Sequence, residues 1–451
     1  MKRKPMNKWL CKGTLVAAVV ALLAPSPVAA EGELRTPIAT PVGTFGGIAY
    51  LQYDGIFEGE TSTGAYRVPY RITVPTHPSH GDRTVLIEPS HFAIGLGTLN
   101  VYLRRDFLFP RGFAHAGIGW STTSFGGANF RILDPTVPGV FINGGLPDNG
   151  GQTDDEIIID FAHALAVDDN AKQMLGSVHR RYVAGFSDSS SPVLRLVTSE
   201  RATHVFDLAL TFIAGMPSFA EGVFDPQAAI AADLFSAKLI IVNSEFEGTS
   251  ADFVDRGVAP GQYRFYAVAG MPHIPDTLGV PDFSNGTTPA SWQPALRAHF
   301  LQGHDWVRAG TTPPPSTHLK TSDGVTLDRD GNGNAISLNA QGKGVPRLPF
   351  IELGEAHFIT GLPGSDDDVI DIADLLGRYD SVKPIADLGF KSHDKYLKAF
   401  KKTLAHYVKA GYMLEEDADA MHRRAALCPP LTFTETYRDH YDAFTAIVPC
   451  N

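Results

Sequence analysis

Ser187 lies in the run Tyr182-Val183-Ala184-Gly185-Phe186-Ser187-Asp188-Ser189-Ser190-Ser191. A serine hydroxyl attacks a carbonyl only when a base takes its proton and an acid orients that base. Small flanking residues let a strand turn sharply into a helix at the serine and leave its Oγ exposed. Gly185 meets that need two residues before Ser187. Two residues after it stands Ser189, small but not the usual glycine, and Asp188 follows the nucleophile directly. That aspartate is an awkward neighbour for a developing oxyanion, and nothing in the sequence accounts for it.

A base and an acid follow in order. Beyond the apolar run Lys238 to Val242 comes Asn243-Ser244-Glu245-Phe246-Glu247. Beyond Gln262 to Ala269 comes Gly270-Met271-Pro272-His273-Ile274-Pro275-Asp276. Serine, carboxylate and histidine thus each sit on a loop after a strand, the order that the nucleophile-elbow hydrolases use. Glu247 is the preferred acid, because it lies three residues past Ser244, the small residue that ends the strand; Glu245 is the alternative. An oxyanion hole would take the backbone N–H of Asp188 and a second N–H from His91 or Phe92, on the loop after Thr84 to Glu88.

The elements that must hold these residues read as an α/β chain. His179 to Ala184 is a short strand and Ser189 to Ser199 a helix. Thr84 to Glu88, Lys238 to Val242 and Gln262 to Ala269 are nearly continuous apolar runs, as expected of strands buried on both faces. Ala114 to Trp120 and His204 to Ile213 join them. Gly46 to Pro75 alternates as antiparallel edge strands. Helices are expected over Leu99 to Phe109 and from Asp154 through Val167, with a loop over Asp134 to Gly151 between them. Strands alternating with helices predict a mostly parallel central sheet flanked by helices. From Pro275 onward Pro and Gly are frequent, and helices are expected over Ser291 to Val307, Val369 to Leu376, His393 to Tyr407 and Ala418 to Ala426. This divides the chain into a core of about 45–275 and a helical and lid region of about 276–451.

The 451 residues are 43% hydrophobic and 19% charged, an ordinary globular composition with material for a large core. The first 30 differ. Lys2, Arg3, Lys4, Lys8 and Lys12 precede an apolar stretch from Gly13 to Ala24, and Val28-Ala29-Ala30 is a small-residue cleavage site. This reads as a secretory signal, 1–30, with a mature chain of 31–451 that is secreted or periplasmic; the apolar run is too short for a membrane span. Removing the five basic residues leaves 33 basic against 49 acidic, a net of −16, which excludes nucleic acid as the expected partner. Cys428 and Cys450 then form an even pair, read in an oxidising compartment as a disulfide tying down the C-terminal tail.

The 16 histidines fall at no recognised zinc spacing, so neither metal nor cofactor is expected. Asp328-Arg329-Asp330-Gly331-Asn332-Gly333 matches half of a calcium loop, but its twelfth position is Asn339 rather than glutamate; a Gly/Asn turn is the expectation.

The chain resembles the bacterial α/β-hydrolase-domain proteins that include a phthalyl amidase. The resemblance rests on Val85 to Phe92, Gly112-Phe113-Ala114-His115-Ala116-Gly117, the run around Ser187, Ser244-Glu245-Phe246-Glu247, Val268 to His273, and Asp328 to Asn332 followed by Val345-Pro346-Arg347-Leu348-Pro349. Such proteins commonly carry Gln after the nucleophile, where this chain has Asp188. The resemblance implies an α/β-hydrolase fold and an exported serine esterase or amidase acting on a small-molecule ester or amide. Two other readings stay open: a non-catalytic binding protein with a decayed elbow, and an acyltransferase using the same three residues.

Overall fold

A computed structural model describes residues 32–62, 64–91, 95–97, 103–120, 132–133, 141–142, 154–197, 199–214, 225–247, 253–274, 291–324, 326–360, 375, 377–381 and 383–426. Residues 1–31, with the expected leader and cleavage site, and Phe92, Cys428 and Cys450 lie outside these residues. So does nearly all of the helix expected over Val369 to Leu376.

Eleven strands form one sheet: β1 (Glu33–Phe45), β2 (Ile48–Thr61), β3 (Gly64–Pro75), β4 (Thr84–Pro89), β5 (Ala114–Ile118), β6 (Arg180–Phe186), β7 (Leu208–Phe212), β8 (Lys238–Ser244), β9 (Tyr263–Val268), β10 (Thr317–Leu319) and β11 (Ser337–Asn339). Their order is β1-β2-β3-β5-β4-β6-β7-β8-β9-β10-β11. Every pair from β5 to β10 is parallel, while β1, β2 and β3 at one edge and β11 at the other are antiparallel. This is the mostly parallel sheet of an α/β-hydrolase fold.

The central strands alternate between two cores. Val85, Ile87, Val183, Ala209, Leu239 and Ile241 point to one face, against Ile157, Phe161 and Leu165 of helix α1 (Asp154–Val167) and Val193 and Leu194 of helix α2 (Ser190–Leu196). Leu86, Tyr182, Leu210, Ile240, Val242 and Tyr266 point to the other. They meet Leu296, Phe300 and Trp306 of helix α3 (Gln293–Ala309) and join Phe400 and Leu404 of helix α4 (His393–Lys409). Burial on both faces is why these strands read as unbroken apolar runs rather than as alternating ones.

The observed elements depart from expectation in four places. Strand β1 has no counterpart among the expected strands, which begin at Gly46; it carries Pro37 and Pro41, which an edge strand tolerates where a central one would lose a ladder bond. The helix expected over Leu99 to Phe109 is a single α-turn at Arg105–Leu108 within the described residues, closed by a 3₁₀ turn that contains Pro110. Inside the expected loop, Phe141–Ile142 pairs with Ile132–Leu133. The division at residue 275 does not coincide with the sheet, since β10 and β11 continue it to Asn339 and α3 packs on β7 and β8. Among the described residues no helix is long and apolar enough to cross a membrane.

Candidate active site

The parallel register brings three loops to one edge. Phe186 at the end of β6 pairs with Phe212, Phe212 with Val242, and Ser244 at the end of β8 with Val268 at the end of β9. Ser187, Glu247 and His273 follow directly from these three strand ends.

The turn at Ser187 is a left-handed one. Its φ is 51°, a region that non-glycine residues occupy rarely and only where the surroundings dictate it. A Cβ on Gly185 would lie 2.1 Å from the Ser189 carbonyl oxygen, so only glycine fits there. Ser189 has no such constraint: its φ of −69° suits any residue. Its fully buried Oγ accepts the Phe186 N–H at 2.9 Å and donates to the Phe186 carbonyl at 3.0 Å. The serine that departs from the usual glycine thus staples the turn. Ser190 Oγ donates to Phe212 O at 3.2 Å, tying the start of α2 to β7.

Ser187 Oγ lies 2.8 Å from His273 Nε2. His273 Nδ1 is hydrogen-bonded to Glu247 Oε1, and Glu247 Oε2 accepts from Ser244 Oγ. His273 is 7% and Glu247 5% exposed, so the chain from hydroxyl to imidazole to carboxylate runs largely out of water. With a carboxylate on Nδ1, the neutral imidazole keeps its proton there and offers Nε2 as the acceptor. Trp292 Nε1 donates to the His273 carbonyl at 3.3 Å, and the rings of Phe186 and Phe246 lie 6.0 and 6.1 Å from the imidazole.

Glu245, the alternative acid, faces elsewhere. Its Oε2 accepts the Gly270 N–H at 2.6 Å, its own N–H donates to Met271 O at 3.0 Å, and Arg329 Nη1 lies 3.0 Å from its Oε1. Burial pushes this carboxyl up from its ordinary range, and Arg329 opposes the rise.

Of the expected oxyanion donors, Asp188 follows Ser187 in a 3₁₀ turn, Ser187–Ser189. The His91 N–H donates to Gly95 O at 3.1 Å, so it is engaged in its own turn and is not available as the second donor. Its ring instead packs 5.8 Å from Phe186. Burial, and secondly the nearby His273, push the His91 imidazole down to about 4.

No cluster of three or more metal-ligating side chains occurs among the described residues. The Asp328 to Gly333 run spends its carboxylates on cations of the chain itself. Asp328 pairs with Lys320 at 2.5 Å, and Asp330 with Arg347 at 2.8 Å while capping Asn332 N and Asn334 N.

Three residues at the site escaped sequence reasoning. From sequence Ser244 is only a small residue that ends a strand. Trp292, 19 positions from His273, carried no signal at all. Arg329 lay inside a run singled out for its pattern but given no partner.

The sequence model of the family described as "Alpha/beta hydrolase domain" matches residues 57–423. No curated protein matches the chain significantly. Among solved structures, a cold-adapted esterase from an Arctic intertidal metagenomic library is similar at 15% identity, over 51% of this chain and 88% of its own, with a TM-score of 0.31. The acetyl xylan esterase from Paenibacillus sp. R4 shares 15% identity over 46% of this chain and 73% of its own, with a TM-score of 0.28. A siderophore hydrolase from Aspergillus nidulans shares 14% identity over 48% of this chain and 87% of its own, with a TM-score of 0.30.

Proposed function

We propose a function on one premise: this chain belongs to the alpha/beta hydrolase domain family. Its reaction is hydrolysis of a carboxylic ester or amide through a covalent acyl-serine. What carries the reading is the unbroken hydrogen-bonded path from Ser187 Oγ through His273 to Glu247, at a serine held with φ 51°.

Ser187 Oγ attacks the carbonyl carbon as its proton passes to His273 Nε2. Glu247 keeps the imidazole in register and stabilises the imidazolium. The collapsing tetrahedral intermediate expels the alcohol or amine, which takes the proton from Nε2. Water then repeats the sequence on the acyl-serine and releases the acid. The Asp188 N–H is one oxyanion donor. With the His91 N–H engaged, the other falls to Phe92.

The finer proposal is a secreted or periplasmic hydrolase of aryl esters or phthalyl amides, made as one domain over 31–451 after loss of residues 1–30, with Cys428 and Cys450 joined. The decayed-elbow alternative rested on Asp188 and Ser189, and the two bonds of Ser189 Oγ to Phe186 count against half of it. An acyltransferase would use the same residues and differ in whether added alcohol or amine diverts the acyl group.

Fluorophosphonate labelling with peptide mapping tests the reading. Label is expected on Ser187 in the wild type and absent from Ser187→Ala and His273→Ala. A wild type with no label on Ser187 would move the assignment to a binding protein.

A further inference from the structure

Glu245 is fully buried two residues before Glu247, yet its carboxylate does not face the imidazole. It reaches under the loop that carries His273. Its Oε2 takes the Gly270 N–H at 2.6 Å, and its own N–H holds Met271 O at 3.0 Å. One short loop after β8 therefore grips the base loop twice. Glu247 holds the ring of His273, and Glu245 holds the backbone three residues before it.

The other side of Glu245 is met from far along the chain. Arg329 Nη1 stands 3.0 Å from Glu245 Oε1 and donates to Gly333 O at 3.0 Å. The turn that presents this arginine is itself braced. Asp330 caps Asn332 N at 2.8 Å and Asn334 N at 3.0 Å, and pairs with Arg347. The Asn334 side chain donates to Ala356 O at 2.9 Å and accepts from Phe358 N at 2.8 Å. Gly270 closes the contact on the same side: at φ 75°, a Cβ there would lie 2.3 Å from Ile351 Cδ1.

We propose that Glu245 and Arg329 are positioning residues, a latch that fixes the Gly270–His273 loop so that Nε2 stays within hydrogen-bonding reach of Ser187 Oγ. The latch rests on the serine-hydrolase reading above. A buried carboxylate without a cation is costly; Arg329, with the Gly270 N–H and Thr360, opposes the effect of burial and favours the charged form that accepts the Gly270 N–H most strongly. Loss of either partner loosens the hold on the loop, and a shift of about 1 Å is enough to matter. Misplacement of that size in a reacting group costs up to about 100-fold in rate. This gives a role to the Asp328 to Asn332 run, which the calcium pattern left without one.

The test uses Arg329→Met, Arg329→Lys and Glu245→Gln in the full-length mature protein. Three quantities are read: the second-order rate of fluorophosphonate labelling at Ser187, kcat and KM on a p-nitrophenyl ester, and the melting temperature. Arg329→Met and Glu245→Gln are expected to lose about 10- to 100-fold in labelling rate and in kcat, with KM within about twofold. Arg329→Lys keeps a cation at the same point and should recover most of the loss. Arg329 is 40% exposed, so its variants keep the question answerable if Glu245→Gln does not fold. Variants that melt earlier but label at the wild-type rate per folded molecule would reduce the pair to a structural contact and overturn the latch, leaving the hydrolase reading intact. A wild type that takes no label at Ser187 would overturn both.

Discussion

Replacing Ser189 by glycine restores the residue that a nucleophile turn more often carries, and it should weaken this protein. Ser189 Oγ is the acceptor for the Phe186 N–H at 2.9 Å and a donor to the Phe186 carbonyl at 3.0 Å, with the residue fully buried. Without Oγ that N–H loses this buried acceptor, a loss of about 1–3 kcal/mol. Glycine at a position with φ −69° gains nothing conformationally and brings about 0.5–1 kcal/mol of extra unfolded-chain entropy. The expected destabilisation is about 2–4 kcal/mol for Ser189→Gly and slightly less for Ser189→Ala. Urea unfolding followed through Trp120, Trp292 and Trp306 measures it as a lower midpoint at unchanged slope. Turnover should fall as well, because the left-handed Ser187 persists only while its neighbours hold it there. A glycine variant with the wild-type midpoint or a higher one would refute the argument: the two bonds would then not be what fixes the turn.

Burial pushes the His299 imidazole down to about 3, with a hydrogen bond to Gln302 opposing. The unfolded chain therefore binds a proton below pH 6.5 that the folded chain refuses, so this contribution is complete above that pH and is lost on acidification towards pH 3, at about 1.4 kcal/mol per pH unit. His299→Phe, which keeps a ring on Tyr266, should flatten the fall in urea stability between pH 6 and 4, and an unchanged slope would contradict the burial argument. Glu247→Gln should cut kcat on an aryl ester by about 10³ or more, since the amide cannot hold the imidazole tautomer or stabilise its charge; retention of a tenth of the wild-type rate would end the assignment of Glu247 as the orienting acid.

The parts of this fold that could be read from sequence are those where burial is symmetrical. Val85 to Ile87 and Leu239 to Val242 are apolar without a break because helices cover both faces, and the structure places β4 and β8 on those runs. The loops after β6, β8 and β9 could be placed because a parallel sheet delivers successive strand ends to one edge. What stayed hidden depends on partners distant in sequence. Strand β1 is stabilised by pairing with β2, a gain that its prolines conceal. The three-residue strands β10 and β11 carry no periodicity long enough to detect. Glu245 and Glu247 could not be separated by composition, because both are glutamates at a strand end, and what distinguishes them is which part of the next loop each reaches. The engaged His91 N–H is likewise a matter of a local turn closing on Gly95, which a sequence containing two candidate donors does not reveal.

The backbone at residue 187 also limits which chemistries a descendant of this chain could explore. At φ 51° a β-branched side chain is a genuine outlier, so threonine is barred there by its shape, although its hydroxyl could perform the same attack. Cysteine adds no branch, and aspartate is among the residues that occupy left-handed backbone most readily. A lineage of this protein can therefore pass from an oxygen to a sulfur or a carboxylate nucleophile by one substitution without redrawing the turn, while the substitution that looks most conservative on paper is the one the turn refuses.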